Sequence, residues 1–510
     1  MGACGAVGVG VDVGACGAEG CSVEGWGSAW GRWWVGAGAG VSVLGPARNG
    51  VSEGVRALTR QSLRADTPAP ALPAVRVRRA VPLPAVGVRR VVSVCAVGVR
   101  RGPRVHASVG VGGGSERLGG MNETVAPEGA ELRARAEIDL AAVRANVRAL
   151  RERAPGAALM AVVKADGYGH GAVACARAAV EAGATWLGTA TPQEALALRA
   201  AGLPADVRIM CWLWTPGGPW RQAIEADVDV SLSGMWALRE VIAAARLAGR
   251  PARVQLKADT GLGRGGCQPG DDWTELVTEA LRAQAEGLLR ITGLWSHFAC
   301  ADEPGHPSVA AQLARFREMV AYAETRGVEP EVRHIANSPA TLTLPESHFD
   351  LVRPGIAMYG VSPSPEIGTP ADFGLRPVMT LTAALALVKH VPGGHGVSYG
   401  HHYVTPGATT LGLVPLGYAD GIPRHASSAG PVLVEGKWRT VAGRVAMDQF
   451  VVDLGGDEPG PGAEAVLFGP GDHGEPTAED WAQAAGTIAY EIVTRIGSRV
   501  PRVYVNASGE

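Results

Sequence analysis

The sequence predicts an α/β chain: a (β/α)8 barrel of the TIM type over residues 135–375, followed by a mostly β domain over 376–507. Three observations predict it. From about Ala136 onward, short apolar runs alternate with stretches of helical period. Eight or nine such runs fall within roughly 240 residues, the span of one closed barrel. After about Arg376 the helical period stops, and β-rich pieces split by Gly and Pro take over.

The elements follow in order. AEIDL (136–140) reads as a strand, and the helix behind it places Leu140, Val143, Val147 and Leu150 on one face. ALMAVVK (158–164) is a continuous apolar run, the mark of a strand buried on both faces. Residues 171–183 are helical, and WLGTA (186–190) is the next strand. Thr191, Pro192 and Glu194 then form a capping box with proline in the first turn. Further strands are read at 207–213, 228–232, 252–258, 289–298, 331–336 and 349–354, with helices such as 236–248 and 309–326 between them. An open doubly wound sheet is the rival arrangement, but no GxGxxG follows the first strand. The β-rich pieces are VMTLTAALALVKHV, ATTLGLVPLGYA, PVLVEGKWRTVAGRV and QFVVDL.

The first 120 residues stand apart. They hold 25 of the 71 glycines, 14 Arg, no Lys and 6 acidic residues, in short Gly/Ala/Val/Arg/Pro stutters. We read them as a disordered low-complexity extension or as an over-extended gene start, with Met121 opening the native chain. Their arginines are scattered, which disfavours a polyanion-binding tail. The whole chain carries a net charge of −2, so bulk electrostatics points neither to nucleic acid nor to an anionic membrane. No signal peptide is evident, and the uncharged run after Trp33 is glycine-rich and too short to span a bilayer. None of the eight cysteines forms a CxxC pair, so no metal site is expected, and a reducing cytoplasm fits.

Reactive groups of a β/α barrel gather at the C-terminal ends of its strands. Lys164, Lys257, His297, Asn337, Ser338 and Arg353 all fall at such ends. A lysine closing an apolar strand is desolvated, which lowers its pKa and suits it to a Schiff base. A rim lysine that snorkels to water is the equal alternative on that strand alone. Barrels often bind phosphate on the loops after their last strands, and ANS (336–338) and RPGI (353–356) offer a hydroxyl and glycine-exposed backbone there. An imine-forming lysine with a phosphate cup points to pyridoxal phosphate.

Seven stretches now stand in order: AVVKADGYGHG, KADTGLGRGG, HIANSPAT, LVRPGIAMYG, PLGYADGIPR, GRVAMDQFVVDL and TIAYEIV. Over roughly 135–507 the chain resembles the alanine racemase family, two-domain pyridoxal phosphate enzymes. The resemblance implies that Lys164 holds the cofactor and serves as one catalytic base. It implies Tyr168, Ser338, Gly355, Ile356 and Tyr490 for the phosphate, and Arg353 opposite the ring nitrogen. Tyr418 resembles the second base, lent by the partner of a homodimer. Arg264 and Met447 match substrate positions, with Asp448 beside the latter and Asn337 supporting. Lys257 matches a lysine often carbamylated in the family, and His297 a histidine that contacts the catalytic tyrosine. Gly167 and Gly169 are expected to let the turn approach the cofactor, while His170 is left to cap or pack.

The implied chemistry explains this set. Racemisation removes a proton from one face of Cα and returns one on the other, which two bases on opposite faces do directly. A free phenol titrates near 10, so a phenolate base needs a cationic or hydrogen-bonding neighbour, a part His297 and Arg353 are placed to play. The implied activity interconverts L- and D-alanine and supplies D-alanine for peptidoglycan. A racemase acting also on serine stays open, since a hydroxyl is worth only about 1–3 kcal/mol in a pocket. A decarboxylase would want an acid in place of Arg353, and a non-enzymatic cofactor carrier would lack the β domain. Leu262 departs from the methionine common in relatives, and the family offers no counterpart to the first 120 residues.

Overall fold

The computed structural model describes residues 133–507. The expectations for residues 1–120, and the proposed start at Met121, lie outside the described residues. Strand β1 (Ala134–Asp139) is followed by eight parallel strands: β2 (Ala158–Val162), β3 (Trp186–Thr189), β4 (Arg208–Cys211), β5 (Val228–Leu232), β6 (Ala252–Lys257), β7 (Leu289–Trp295), β8 (Val332–His334) and β9 (Leu351–Val352). Their order is β8-β7-β6-β5-β4-β3-β2-β9. The ring closes between β8 and β9, where the Asp350 N–H donates to Arg333 O at 3.1 Å and the Arg353 N–H to Ala336 O at 3.0 Å. This is the predicted β/α barrel.

Strand β2 shows why the sequence folds this way. All of it except Ala158 is buried, because a barrel strand has side chains packed against both the interior and the helices outside. The helices turn an apolar stripe inward; over Met235–Ala248, Ala237, Leu238, Val241, Ala244 and Ala245 are buried. The predicted capping box is present: Thr191 accepts from the Glu194 N–H, and Glu194 accepts in return from Thr191. Inside the barrel, Met160, Trp186, Met210, Trp295, Val332 and Leu351 form one buried cluster.

Two findings differ from the sequence reading. The strand that heads the barrel pattern, β1, pairs not with the barrel but antiparallel with Met379–Ala384 and parallel with Arg502–Val505. It lies within a six-stranded sheet whose other members come from the C-terminal part of the chain. Its alternating burial, with one face in the core, is the pattern of a sheet covered on one side. Helices also do not end at Arg376: Ala478–Ala485 and Ala489–Thr494 are helical, the first opened by a Thr477/Asp480 capping box. Both are too short to carry a visible helical period.

Candidate active site

Lys164 follows β2 and opens a turn of unusual backbone. Ala165, Asp166 and Tyr168 have φ of 52°, 52° and 53°, left-handed values that non-glycine residues seldom adopt. Side chains hold the turn: Glu194 Oε1 accepts from the Ala165 N–H at 2.7 Å and Asp166 Oδ1 from the Ala172 N–H at 2.9 Å. Strain kept in this way is a mark of functional loops. Gly169 meets a packing demand, since a Cβ there would lie 2.4 Å from Val493 O. Gly167 sits inside the left-handed run at φ 61°.

The turn sends the Lys164 amine into the barrel mouth, with Nζ 5.6 Å from the Tyr168 ring centre and 6.0 Å from that of Trp212. Burial lowers its pKa first, then the Arg264 charge; Glu194 opposes and Arg353 adds to the lowering. That is the direction expected of an amine kept neutral enough to act as nucleophile or base. Lys257, on the next but three strand, is pushed down to about 8 by burial and by Arg264 and Arg353. Its Nζ lies 4.4 Å from the Trp295 ring centre, and Arg353 lies 5.1 Å from the same ring.

Arg353 is buried and held on several sides. Its Nη1 donates to His334 Nδ1 at 2.9 Å, and its Nη2 reaches Ser296 O at 2.9 Å, Ile335 O at 3.2 Å and His297 Nδ1 at 3.2 Å. Burial and the cations Arg353, Arg264, Lys164 and Lys257 hold His297 well below the ordinary imidazole range. A neutral His297 is therefore a hydrogen-bonding neighbour, not the cationic one that its sequence position also allowed. Ser338, Gly355, Tyr168 and Tyr490, all phosphate candidates, lie near one another. Ser338 Oγ accepts from the Gly355 N–H at 2.8 Å and the Ala357 N–H at 3.3 Å. A Cβ on Gly355 would lie 2.2 Å from the Tyr168 hydroxyl, and the Tyr168 and Tyr490 rings are 6.4 Å apart. Ile356 is buried at the head of a 3-10 turn, and Asn337 caps the helix Ser338–Thr343 through the Ala340 N–H.

Tyr418, Met447 and Asp448 form a second group. Backbone bonds strap their loops together, the Tyr418 N–H to Ala446 O at 3.0 Å and the Ala419 N–H to Met447 O at 2.9 Å. Gly417 makes this approach possible, since a Cβ there would lie 2.3 Å from Met447 O. Tyr418 and Met447 are 44% and 53% exposed, unusual for large side chains strapped so closely to the fold. Asp448 pairs with Arg499 at 2.7 Å. Among the described residues no hydrogen bond or ring contact joins Tyr418 to Lys164 or His297. Sequence reasoning missed Trp295 and His334, which touch Arg353, and Gln255 and Asp229, which continue the hydrogen bonds from His334 into the barrel. The signal was period-2 parity: if Lys257 faces inward, Gln255 and Arg253 do too.

Residues 138–363 match the family model "Alanine racemase, N-terminal domain", and residues 378–504 match "Alanine racemase, C-terminal domain". The chain is 86% identical over 390 residues to the alanine racemase of Streptomyces coelicolor, covering 76% of this chain and all of that one. It is 60% identical over 379 residues to that of Frankia casuarinae, covering 74% and 98%. Among solved structures, alanine racemase from the D-cycloserine producer Streptomyces lavendulae aligns with a TM-score of 0.73 at 74% identity, covering 74% of this chain and 98% of that one. With the barrel, the lysine turn and the strapped tyrosine loop described above, the chain belongs to the alanine racemase family.

Proposed function

We propose that the protein interconverts L- and D-alanine with pyridoxal phosphate as cofactor, using Lys164 of one subunit and Tyr418 of its partner as opposed bases. The observation that carries this reading is the state of Lys164: a recessed amine, depressed by burial and by Arg264, with no hydrogen bond among the described residues. The residues present fit the cofactor. Glycine at 355 leaves a cradle under the Tyr168 hydroxyl that a Cβ would fill, beside the Ser338 hydroxyl. Lys164 would hold the cofactor covalently, with Tyr168, Ser338, Gly355, Ile356 and Tyr490 around its phosphate. Pyridoxal phosphate, when bound, supplies the electron sink that makes the Cα–H bond of an amino acid acidic.

The chain's own groups do the rest. Arg353, a guanidinium with donors only, would face the pyridine nitrogen and would not accept a proton there. Lys164 Nζ takes or returns a proton on one face of Cα, and the phenolic oxygen of the partner subunit's Tyr418 does so on the other. Arg264 receives the substrate carboxylate, with Met447 and Asp448 on the tyrosine side, while Lys257, once carbamylated to an anion, would brace Arg264. The exposure of Tyr418 and Met447 supports a homodimer in which each subunit completes the other's site. On this reading residues 135–375 and 376–507 act as two domains, and the enzyme works in the cytoplasm to supply D-alanine for peptidoglycan. Among the described residues no helix is long and apolar enough to cross a membrane.

The test is visible absorption of the purified protein, with and without D-cycloserine, beside an alanine exchange assay. A cofactor band perturbed by D-cycloserine, together with exchange in both directions, is expected. A Lys164-intact protein that binds no pyridoxal phosphate would overturn the reading.

A further inference from the structure

A line of polar side chains runs down the barrel interior beneath Arg353. Arg353 Nη1 lies 2.9 Å from His334 Nδ1, and His334 Nε2 lies 2.7 Å from Gln255 Oε1. Gln255 Nε2 lies 3.4 Å from Asp229 Oδ2. Asp229 is anchored by Arg208 Nη2 and Arg253 Nε, each at 2.5 Å. His334, Gln255 and Asp229 are wholly buried, each at 0% exposure. Strand parity aims Gln255 at the same interior as Lys257, two residues on.

The donor and acceptor rules give this line a direction. A carboxylate only accepts, so the Gln255 amide turns its NH2 to Asp229 and its carbonyl oxygen to His334. His334 then carries its hydrogen on Nε2, and its Nδ1 lone pair receives the Arg353 N–H. The opposite tautomer, or an imidazolium, would set N–H against N–H at Arg353. Burial and the Arg353 charge hold His334 well below the usual imidazole range, which fits the neutral form. The neighbouring strand reserves space for the amide: Gln255 pairs with Gly293, and a Cβ there would lie 2.9 Å from Gln255 Cδ and Oε1. A buried carboxylate between arginines is weak evidence for stability, since apolar replacements of such clusters are often neutral or better.

We propose that Asp229 and Gln255 are positioning residues for the reaction: they fix the His334 tautomer, and through it the plane and reach of the Arg353 guanidinium. Outer partners of this kind orient an active group without touching substrate. The proposal rests on Arg353 facing the cofactor, and its test separates the two. In the 15N-histidine-labelled holoenzyme, with His334 assigned by its loss in His334→Asn, the hydrogen is expected on Nε2 across neutral pH. A hydrogen on Nδ1, or on both nitrogens, overturns the proposal. The tautomer is readable whether or not cofactor is bound, so failure of the cofactor reading would not be mistaken for failure of the relay. In kinetics, Gln255→Met removes the acceptor at similar length. Its kcat should fall by about tenfold or more, as expected of a misaimed group, with KM little changed. Gln255→Glu should keep most of the activity, because one proton shared with Asp229 restores a donor toward Asp229 and an acceptor toward His334. Unchanged kcat in the Met variant, or losses in both variants that merely track the thermal midpoint, would overturn the proposal.

Discussion

Arg353 Nη2 meets His297 Nδ1 at 3.2 Å, an arginine donating to an imidazole lone pair. This fixes the tautomer of His297 and leaves its Nε2–H as a donor. If Tyr418 of the partner is the second base, His297 serves it with a hydrogen bond and Arg353 supplies the nearby charge. His297→Leu should therefore lower kcat by about 10²-fold, the usual worth of an acid–base partner, with a much smaller change in KM. Steady-state kinetics in both directions checks this; activity equal to the parent would remove His297 from the site.

The two groups of site residues lie in different parts of one chain, and among the described residues no hydrogen bond or ring contact joins Tyr418 to Lys164 or His297. Mixing Lys164→Ala chains with Tyr418→Phe chains should then restore activity. One of the two sites in each mixed dimer would carry both bases and the other neither. Refolding the variants together and assaying exchange measures this directly. Recovery no greater than in the parent variants would place both bases in one subunit.

Much of the barrel was legible in the sequence, because a strand buried on both faces writes itself as an apolar run. The strand-end rule also located Lys164, Lys257, Ser338 and Arg353 without knowledge of their contacts. Pairing was not legible. The run at β1 alternates like any half-buried strand, and nothing local tells it to join Met379–Ala384 instead of the barrel. The interior residues Asp229, Gln255 and His334 were hidden for another reason. Each shares a short strand with at least one other polar residue, Asp229 in VDVSL, Gln255 in ARVQLK and His334 in VRH, so polarity did not single it out, and its importance comes from partners 19 or more positions away. The packing constraint on Gly169 was not legible either, because its close neighbour, Val493, lies on a helix far along the chain.

Gly169 gives a prediction that separates strain from collision. Its φ is 83°, and a Cβ would lie 2.4 Å from Val493 O. Gly202 has a similar φ of 74° but nothing within 4 Å. Gly202→Ala should cost about 1–2 kcal/mol from the left-handed backbone alone. Gly169→Ala adds a backbone collision and should cost about 3 kcal/mol or more. Urea denaturation compares them; equal losses would mean that the contact with Val493 is readily relaxed.

His170 gives the pH prediction. Its Nδ1 lies 2.9 Å from Tyr168 O and 3.0 Å from Gly167 O, so its N–H ties the lysine turn together. Burial pushes its pKa down to about 4 from an ordinary value of 6.5, and the Arg502 charge adds to the lowering against those two hydrogen bonds. Between the two values the unfolded chain binds more protons than the folded one, so stability rises with pH. The contribution is complete above about pH 6.5 and is lost as pH falls toward 4, by up to about 1.4 kcal/mol per pH unit. His297 and His334 are depressed too and bend the curve the same way, so the parent alone does not isolate the effect. His170→Asn keeps a donor for the turn carbonyls but has no proton to gain. Its unfolding free energy should be lower at pH 7 and should fall less steeply between pH 6.5 and 4. Parallel curves for parent and variant would show that His170 is already protonated in the fold, and that the turn is held by Asp166 and Glu194 without it.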